Sequence, residues 1–194
     1  PLRGHQNVQG ACDMGALPDY YTGYQRVSEF REKFEDAWNV ELPVSRGRSA
    51  IEIMSSAGSD IRGLYISGEN PALSYPDSSR IREALESLDL LVVSDIFPTE
   101  TTRMADVILP VASFAEKYGT VTSTERKVQL IRKAIDPPGS ALPEWVVAAR
   151  LLEIFGVSSD YNSSADVMRE IAALTPSYGG ISHERLERGG IHWP

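Results

Sequence analysis

Two apolar runs separated by a helical pattern constrain the fold of this chain more than any other feature of its sequence. Residues 61–67 have the pattern of a strand that ends in the turn 68–71, and a helical pattern follows at 77–88. Residues 90–93 have the composition of a parallel strand with both faces covered. A third apolar run lies at 105–110. This order predicts an α/β fold, with a partial doubly wound parallel sheet flanked by helices.

The patterns outside this sheet predict a projecting β-hairpin and further helices. Two alternating runs around a polar turn predict the hairpin at 118–135. The density of Gly and Pro in 10–23 predicts an ordered loop rather than a helix or strand. Apolar residues at helical spacing predict helices at 24–38, 49–56, 143–155 and 164–174, the last capped by Ser163 or Ser164.

The order of these patterns predicts three consecutive parts. We expect an α/β region at 1–117 that carries an N-terminal loop, the hairpin at 118–142 as a piece of a neighbouring lobe, and a helical C-terminal part at 143–194 that packs back on the α/β core. The first residue is Pro1 rather than methionine. The chain therefore reads as a piece of a longer protein.

Composition and charge exclude several classes of function. The chain is 42% hydrophobic and 24% charged, which is typical of a globular protein. A net charge of −8, with scattered Lys and Arg, argues against nucleic acid as a partner. No apolar run approaches the roughly 18 residues that span a bilayer, so we expect no membrane insertion. A cytoplasmic location is a separate expectation that does not rest on this pattern.

Cys12 is the only cysteine of the chain. One cysteine cannot form an intrachain disulfide, a self-contained iron–sulfur cluster or a four-cysteine zinc site. We expect it to be a small buried apolar residue.

Polar residues follow two neighbouring strands of the predicted sheet. Gly68, Glu69 and Asn70 come after the first strand, and Ser94 and Asp95 close the second. Ligands of doubly wound sheets bind at the carboxyl ends of strands, and a carboxylate can accept two hydrogen bonds from a guanine. The alternatives are an ordinary turn at 68–71 and a cap on the turn after Asp95.

Two other places carry candidate chemistry. Arg3, His5 and Asn7 lie beside glycines at the amino end, where a guanidinium suits a small carboxylate and an imidazole can relay a proton; the alternative is solvated surface. Lys117 could neutralise a phosphate, or it could be an exposed lysine. Neither His183 nor His192 has metal-ligand spacing to another candidate, so no metal ligand is predicted in these residues.

Several segments together resemble the catalytic subunit of formate dehydrogenases, within the molybdopterin oxidoreductases. The signature is residues 2–18, LRGHQNVQGACDMGALP. The resemblance continues through 23–25 (GYQ), 68–71 (GENP), 94–101 (SDIFPTET), 105–110 (ADVILP), 116–120 (EKYGT), 123–129 (STERKVQ) and 190–194 (GIHWP). The strand-end segments are shared across the wider family, whereas the N-terminal signature points to formate.

This resemblance implies an enzyme that oxidises formate to carbon dioxide. The cofactor would be molybdenum or tungsten held by two molybdopterin guanine dinucleotides, with electrons passing to a 4Fe-4S cluster in another part of the subunit. The implied partners are formate, the remaining domains of the same subunit and electron-transfer subunits.

The resemblance also implies roles for single residues. Arg3 matches an arginine that orients formate, and His5 stands at a neighbouring active-site position where relatives often have glutamine. The residues matched to cofactor contacts are Gly68, Glu69, Asn70, Ser94, Asp95, Lys117 and Glu144, the last at a position where relatives often have aspartate.

The family's cluster cysteines, its metal-ligating cysteine or selenocysteine and its C-terminal cofactor domain are not in these residues, so we expect no turnover from this chain alone. Two alternatives stay open. A related reductase, for instance of nitrate, would keep the strand-end loops and lack the signature of 2–18. A non-catalytic subunit of a respiratory complex would keep the core and lose the polar site residues.

Overall fold

A computed structural model of the chain describes residues 5–158 and 160–194. The chain forms two compact units, each assembled from separate stretches. Among the described residues, the first unit comprises 5–47, 118–133, 152–158 and 160–194, and the second comprises 48–117 and 134–151. Both units are built from stretches distant in sequence, whereas the sequence suggested three consecutive parts. That three-part division stays a prediction.

The second unit is built on a three-stranded parallel sheet. Its strands are β3 (Gly63–Ser67), β4 (Leu90–Asp95) and β5 (Val107–Pro110), with β4 in the centre. Ser67 pairs with Ser94 at one end of the sheet, and Asp95 pairs with Pro110. The carboxyl ends of all three strands therefore lie along one edge.

One face of this sheet is packed against helices. Ile66, Leu91 and Val93 point to the same side and form a buried cluster with Ile81 and Leu85. The last two lie on helix α5 (Ser78–Glu86), four residues apart, so they share one side of that helix. Alternating residues on two strands thus meet one helical stripe, which fixes the register of the sheet.

The opposite face of the sheet is open except at the carboxyl end of β4, where Ser94 is buried. Leu91 is 1% exposed, whereas its neighbour Leu90 is 46% exposed. Tyr65 and Val107, which flank Val92 in the register, are also exposed on that side. The prediction that β4 is covered on both faces therefore holds for the side of Leu91 and Val93, whereas on the other side Leu90 is exposed, Val92 is half-buried and Ser94 is buried.

Two helices of this unit begin where the sequence signals their caps. Ser49 accepts a hydrogen bond from the amide of Glu52, whose carboxylate accepts from the amide of Ser49, so a capping box opens α3 (Ala50–Ser56). Asp77 caps α5 by accepting from the amide of Arg80. Both helices are thus fixed at their first turn, on the covered face of the sheet.

The first unit contains an antiparallel sheet of β6 (Gly119–Thr122), β7 (Lys127–Ile131) and β8 (Ile191–His192), with β7 in the centre. Val128 on β7 is fully buried against Met168, Tyr178 and Leu186. The C-terminal helices therefore pack on the hairpin through an apolar core. The same unit includes α2 (Val27–Trp38), α7 (Ser164–Leu174) and α8 (His183–Leu186).

The segment expected to be a loop at 10–23 is partly helical. Helix α1 spans Val8–Asp13, and the short strand β1 (Tyr20–Tyr21) pairs with β2 (Gln25–Arg26). The loop prediction failed here because tertiary hydrogen bonds stabilise a helix of one and a half turns whose glycine would otherwise disfavour it. Those bonds involve Asp13 and are described below.

The α/β class, the parallel sheet flanked by helices, the hairpin and the helical C-terminal part are all confirmed. Most predicted element ends shift by one to three residues, and α7 begins after Ser163, whose hydroxyl accepts from the amide of Asp166. Within the described residues, no helix is both long and apolar enough to cross a membrane. The remaining elements are α4 (Pro71–Ser74), α6 (Glu144–Ile154) and 3-10 helices at Thr22–Tyr24, Thr102–Met104 and Pro176–Tyr178.

We expect Leu91→Ala to lower the free energy of unfolding by about 2–5 kcal/mol, because truncating a buried leucine loses apolar burial and leaves a cavity. Leu90→Ala is the matched control on the same strand and should cost about 1 kcal/mol or less. Urea unfolding of the chain measures both. Equal losses for the two variants would contradict the one-sided core.

Candidate functional site

The predicted nucleotide-binding loops lie on one edge of the parallel sheet. Because Ser67 and Ser94 are register partners, the loop of Gly68–Asn70 and the loop that begins at Asp95 leave neighbouring strand ends. The amide of Gly68 donates to the carbonyl of Ser94 over 2.8 Å, which ties the two exits together. The expectation that Asn70 and Asp95 follow adjacent strand ends is confirmed.

Asn70 locks the two loops to each other. Its side-chain nitrogen donates to Glu100 over 2.7 Å. Its side-chain oxygen accepts from the amide and the hydroxyl of Thr101, over 3.2 Å and 2.7 Å. Thr101 is fully buried and also accepts from the amide of Ala72. Asn70 is therefore committed to holding the loop 95–101 beside its own.

Ser94 is also committed to interactions within the sheet. It is fully buried, and its hydroxyl accepts from the phenol of Tyr65 over 3.0 Å while donating to Ser67 over 3.1 Å. Three hydroxyls from two paired strands thus form a short chain across the sheet end. This satisfies a buried polar atom that would otherwise be costly.

Gly68 and Asp95 are the residues of this edge that remain open. Gly68 has a left-handed φ of +65°, and an added Cβ would meet nothing within 4 Å, so a ligand could approach this stretch of backbone closely. One carboxylate oxygen of Asp95 accepts from the amides of Ile96 and Phe97, as a cap on the following turn does. The other oxygen has no hydrogen-bond partner among the described residues.

Glu69 is exposed and faces Tyr75. Burial, together with the hydrogen bond to Glu69, raises the pKa of Tyr75 to about 12. The phenol therefore stays protonated at neutral pH. It can keep donating to Glu69 throughout the physiological range.

Lys117 and Glu144, each predicted from the sequence as a separate candidate, meet in the structure. The ammonium of Lys117 donates to both carboxylate oxygens of Glu144, over 2.6 Å and 2.5 Å, and to the carbonyl of Ala112 over 3.0 Å. Lys117 is largely buried and Glu144 half-buried. The pair connects the segment after β5 to the first turn of α6. The alternative that Lys117 is an ordinary exposed lysine is therefore wrong.

The two predicted catalytic residues lie near the amino end of the chain. Arg3 lies outside the described residues. His5 is exposed, and it is followed by Asn7, whose φ of 63° is left-handed. No metal-binding group of three or more His, Cys, Asp or Glu occurs in the part of the chain that the structure describes.

Asp13, the last residue of helix α1, is a buried carboxylate that the sequence analysis did not single out. Asp13 is fully buried and accepts from Gln9 over 2.8 Å, from the phenol of Tyr178 over 2.7 Å and from the indole of Trp193 over 3.0 Å. Burial raises the pKa of Tyr178, which keeps the phenol as a donor. A signal was present, since Asp13 lies within the signature and Trp193 within the closing motif, but sequence alone does not pair them.

A cavity of about 890 Å³ lies elsewhere in the first unit. It lies between the C-terminal end of α2 and α7, where Glu170 accepts from Trp38 over 2.7 Å and from Tyr161. Burial and the bond to Glu170 raise the pKa of Tyr161 to about 12. None of the predicted site residues lines this cavity.

Comparisons with known proteins agree on one family. A family model described as "Molybdopterin oxidoreductase" matches residues 3–154. Similar curated proteins include the F420-dependent formate dehydrogenase subunit alpha of Methanocaldococcus jannaschii at 51% identity and the F420-dependent formate dehydrogenase 1 subunit alpha of Methanococcus maripaludis at 48%. Formate dehydrogenase H of Escherichia coli is 41% identical. Each alignment covers 100% of this chain and 28–29% of the relative, so the chain spans less than a third of these relatives.

A solved structure shares the fold. Acetylene hydratase from Pelobacter acetylenicus superposes with a TM-score of 0.61 over 74% of this chain and 20% of that chain, at 15% sequence identity. At this identity the likeness is evidence of fold alone. It supports the α/β architecture described above.

The hydrogen bond from Asn70 lowers the pKa of Glu100 below its usual range. The bonded carboxylate is thus present above the ordinary glutamate pKa, and the interaction is lost as pH falls through the lowered pKa. We expect Asn70→Ala to move the pKa of Glu100 up towards its ordinary value. Carboxyl-carbon NMR titration measures this, and Asn162→Ala, a substitution distant in sequence, is the control. An unchanged pKa in Asn70→Ala would show that the amide is not the cause.

Proposed function

Because the chain belongs to the molybdopterin oxidoreductase family, we propose that it is part of the catalytic subunit of a molybdenum- or tungsten-dependent formate dehydrogenase. Its α/β unit would bind part of a molybdopterin guanine dinucleotide, and its N-terminal segment would contribute to the formate site. The observation that carries the proposal is the sheet edge with two polar loops, in a chain whose relatives include formate dehydrogenases along its whole length.

The sheet edge fits a nucleotide in the chemistry of its open groups. Gly68 leaves space above the backbone, so a planar or charged group can approach without meeting a side chain. Asp95 presents one carboxylate oxygen that no described residue uses. A carboxylate accepts strongly from paired N–H donors such as those on a guanine edge. Gly68 and Asp95 are therefore the proposed direct contacts.

Asn70, Ser94 and Glu69 have a supporting role in this proposal. Asn70 and Ser94 use their polar atoms within the protein, which holds the two loops at a fixed spacing. A preorganised edge loses less conformational entropy when it binds a ligand. Glu69 is exposed on the same loop, where its carboxylate can lie beside a bound nucleotide.

Lys117 and Glu144 supply a charged contact of a different kind. Glu144 holds the ammonium of Lys117 in one place, and the carbonyl of Ala112 orients it further. An ammonium positioned in this way stabilises a nearby anionic group, such as a cofactor phosphate, without first having to be ordered. In this proposal Glu144 positions Lys117, and Lys117 makes the contact by giving up one of its two bonds to Glu144.

The formate chemistry would rest on Arg3 and His5. When bound, the molybdenum or tungsten centre supplies the redox chemistry that takes up electrons from formate. The planar guanidinium of Arg3 can donate to both carboxylate oxygens and thereby fix one orientation of the substrate. The imidazole of His5 can accept the proton that formate releases.

In this proposal, the later steps of electron transfer take place in parts of the subunit outside this chain. We propose that electrons pass to a 4Fe-4S cluster elsewhere in the same subunit and then to electron-transfer subunits. The chain described here would then lack turnover by itself, since Cys12 cannot ligate such a cluster alone. The cytoplasmic location stays a prediction.

The decisive experiment is formate-dependent dye reduction by the full-length subunit, with metal analysis of the same sample. We expect formate oxidation in the wild type and a loss of about 2–4 kcal/mol in transition-state stabilisation for Arg3→Lys, because an ammonium cannot match both carboxylate oxygens. Arg188→Lys, at an exposed position near the carboxyl end, is the control. A metal-loaded wild type that does not oxidise formate would refute the substrate, and a fully active Arg3→Lys would refute the role of Arg3.

Asp95→Ala in the full-length subunit should weaken cofactor binding by about 1.5–3 kcal/mol, through loss of a charge-assisted contact to guanine. Asp89→Ala is the matched control, because Asp89 stands just before the same strand at its other end and pairs with Arg62. Metal and pterin content per purified subunit measures the effect. Full occupancy in Asp95→Ala would leave Asp95 as the cap of its own turn.

A further inference from the structure

Asn7 connects the segment that carries the proposed formate residues to strand β6. The backbone of Asn7 is left-handed, with φ 63° and ψ 14°. Asparagine precedes helix α1 and could cap it with its side chain, yet no such bond forms. Instead its side-chain oxygen accepts from the backbone amide of Thr122, on strand β6, over 3.0 Å. The side chain thus ties the turn to the hairpin rather than to its own helix.

A glycine makes this bond possible. A Cβ at Gly10 would lie 2.0 Å from the side-chain oxygen of Asn7 and 3.3 Å from the amide of Thr122. Both distances fall below ordinary contact, and the first is impossible without displacing Asn7. Gly10 therefore has a steric reason to stand inside a helix, where glycine otherwise costs about 0.5–1 kcal/mol relative to alanine.

The C-terminal end of α1 is connected to Thr122 by a second set of hydrogen bonds. The hydroxyl of Thr122 bonds the phenol of Tyr178 over 3.0 Å, and that phenol donates to Asp13 over 2.7 Å. Asn7 precedes α1 and Asp13 is its last residue. The hydrogen bonds therefore form a closed ring that runs from Asn7 along α1 to Asp13, then through Tyr178 to Thr122 and back to Asn7. Two attachments to one strand fix the direction of the segment as well as its position.

His5 stands two residues before Asn7, and Arg3 four residues before it. The backbone angles of such a turn determine the direction in which the exposed residues beside it leave the protein surface. Catalytic groups must be held within about 0.5 Å of their working geometry, and a displacement of about 1 Å can cost about 100-fold in rate. The turn at Asn7 therefore sets the direction of the described residues just before it, His5 among them.

We propose that Asn7 is a positioning residue for the formate site, acting through its bond to the amide of Thr122. This inference rests on the proposed function, since it assigns a task to the segment only if that segment meets substrate. Helix α1 and its ring of hydrogen bonds then hold the backbone that carries His5 in a fixed position.

The test uses the full-length, metal-loaded subunit and breaks the bond from both sides. Asn7→Gly keeps the left-handed backbone and removes the acceptor. Gly10→Ala keeps Asn7 and displaces its oxygen, while favouring the helix. We expect each variant to lower kcat/KM for formate by about 10- to 100-fold with unchanged metal and pterin content. Asn7→Asp keeps an acceptor and tolerance of the left-handed region, so it should retain most of the activity.

Asn39→Gly is the matched control, because Asn39 is another left-handed asparagine, at the end of α2, and should leave kinetics unchanged. A readout independent of catalysis is amide hydrogen exchange over residues 119–128. The amide of Thr122 should exchange faster in Asn7→Gly and Gly10→Ala than in the wild type, and it should stay protected in Asn7→Asp.

Wild-type kcat/KM in variants that have lost this protection would overturn the positioning role. So would unchanged protection in both Asn7→Gly and Gly10→Ala, because the bond would then not exist. If one of these variants does not fold, the other and Asn7→Asp decide the matter. A metal-loaded wild type that leaves formate untouched refutes the proposed function itself, which separates the two failures.

Discussion

The parallel pairing of β3, β4 and β5 is the constraint on which the α/β unit depends. Parallel strands end on the same side, so the pairing of Ser67 with Ser94 places two loops from distant parts of the sequence next to each other. The buried stripe of Ile66, Leu91 and Val93 fixes that register, because a slip by one residue would turn these side chains to water. Apolar packing therefore decides where the polar loops meet.

The polar residues at this edge divide into those that hold the loops and those that face outwards. Asn70 and Thr101 bond to each other, Thr101 also accepts from the amide of Ala72, and Ser94 donates to Ser67. Gly68 and Asp95 keep an open approach and an unused carboxylate oxygen. The same division recurs in the pair of Glu144 and Lys117, where one side chain fixes the other. A site of this kind has its geometry set before any ligand arrives.

Sequence patterns predicted the sheet well because its signals are local. Branched apolar runs, a capped helix and strand-end glycine each depend on a few neighbouring residues, and β4 and α5 formed where those patterns lie. Helix α1 was missed because its stability depends on contacts with Tyr178 and Trp193, well over 100 residues away in the chain.

The candidate site shows the same limit. The residues of both loops could be chosen from the sequence, since polar residues after strands are a local pattern. Their division into holding and open groups could not, because it depends on which atoms of Asn70 meet Glu100 and Thr101 across the sheet edge. Nor did spacing pair Lys117 with Glu144, although both were candidates.

The open face of the parallel sheet has a consequence for handling the chain in solution. Tyr65, Leu90 and Val107 present apolar surface on one side of a strand-rich layer. Contiguous surface of this type tends to drive association between copies, and it does so more strongly as concentration rises. The isolated chain should therefore stay monomeric longer when it is dilute, in mild detergent, or co-expressed with a polypeptide that covers this surface.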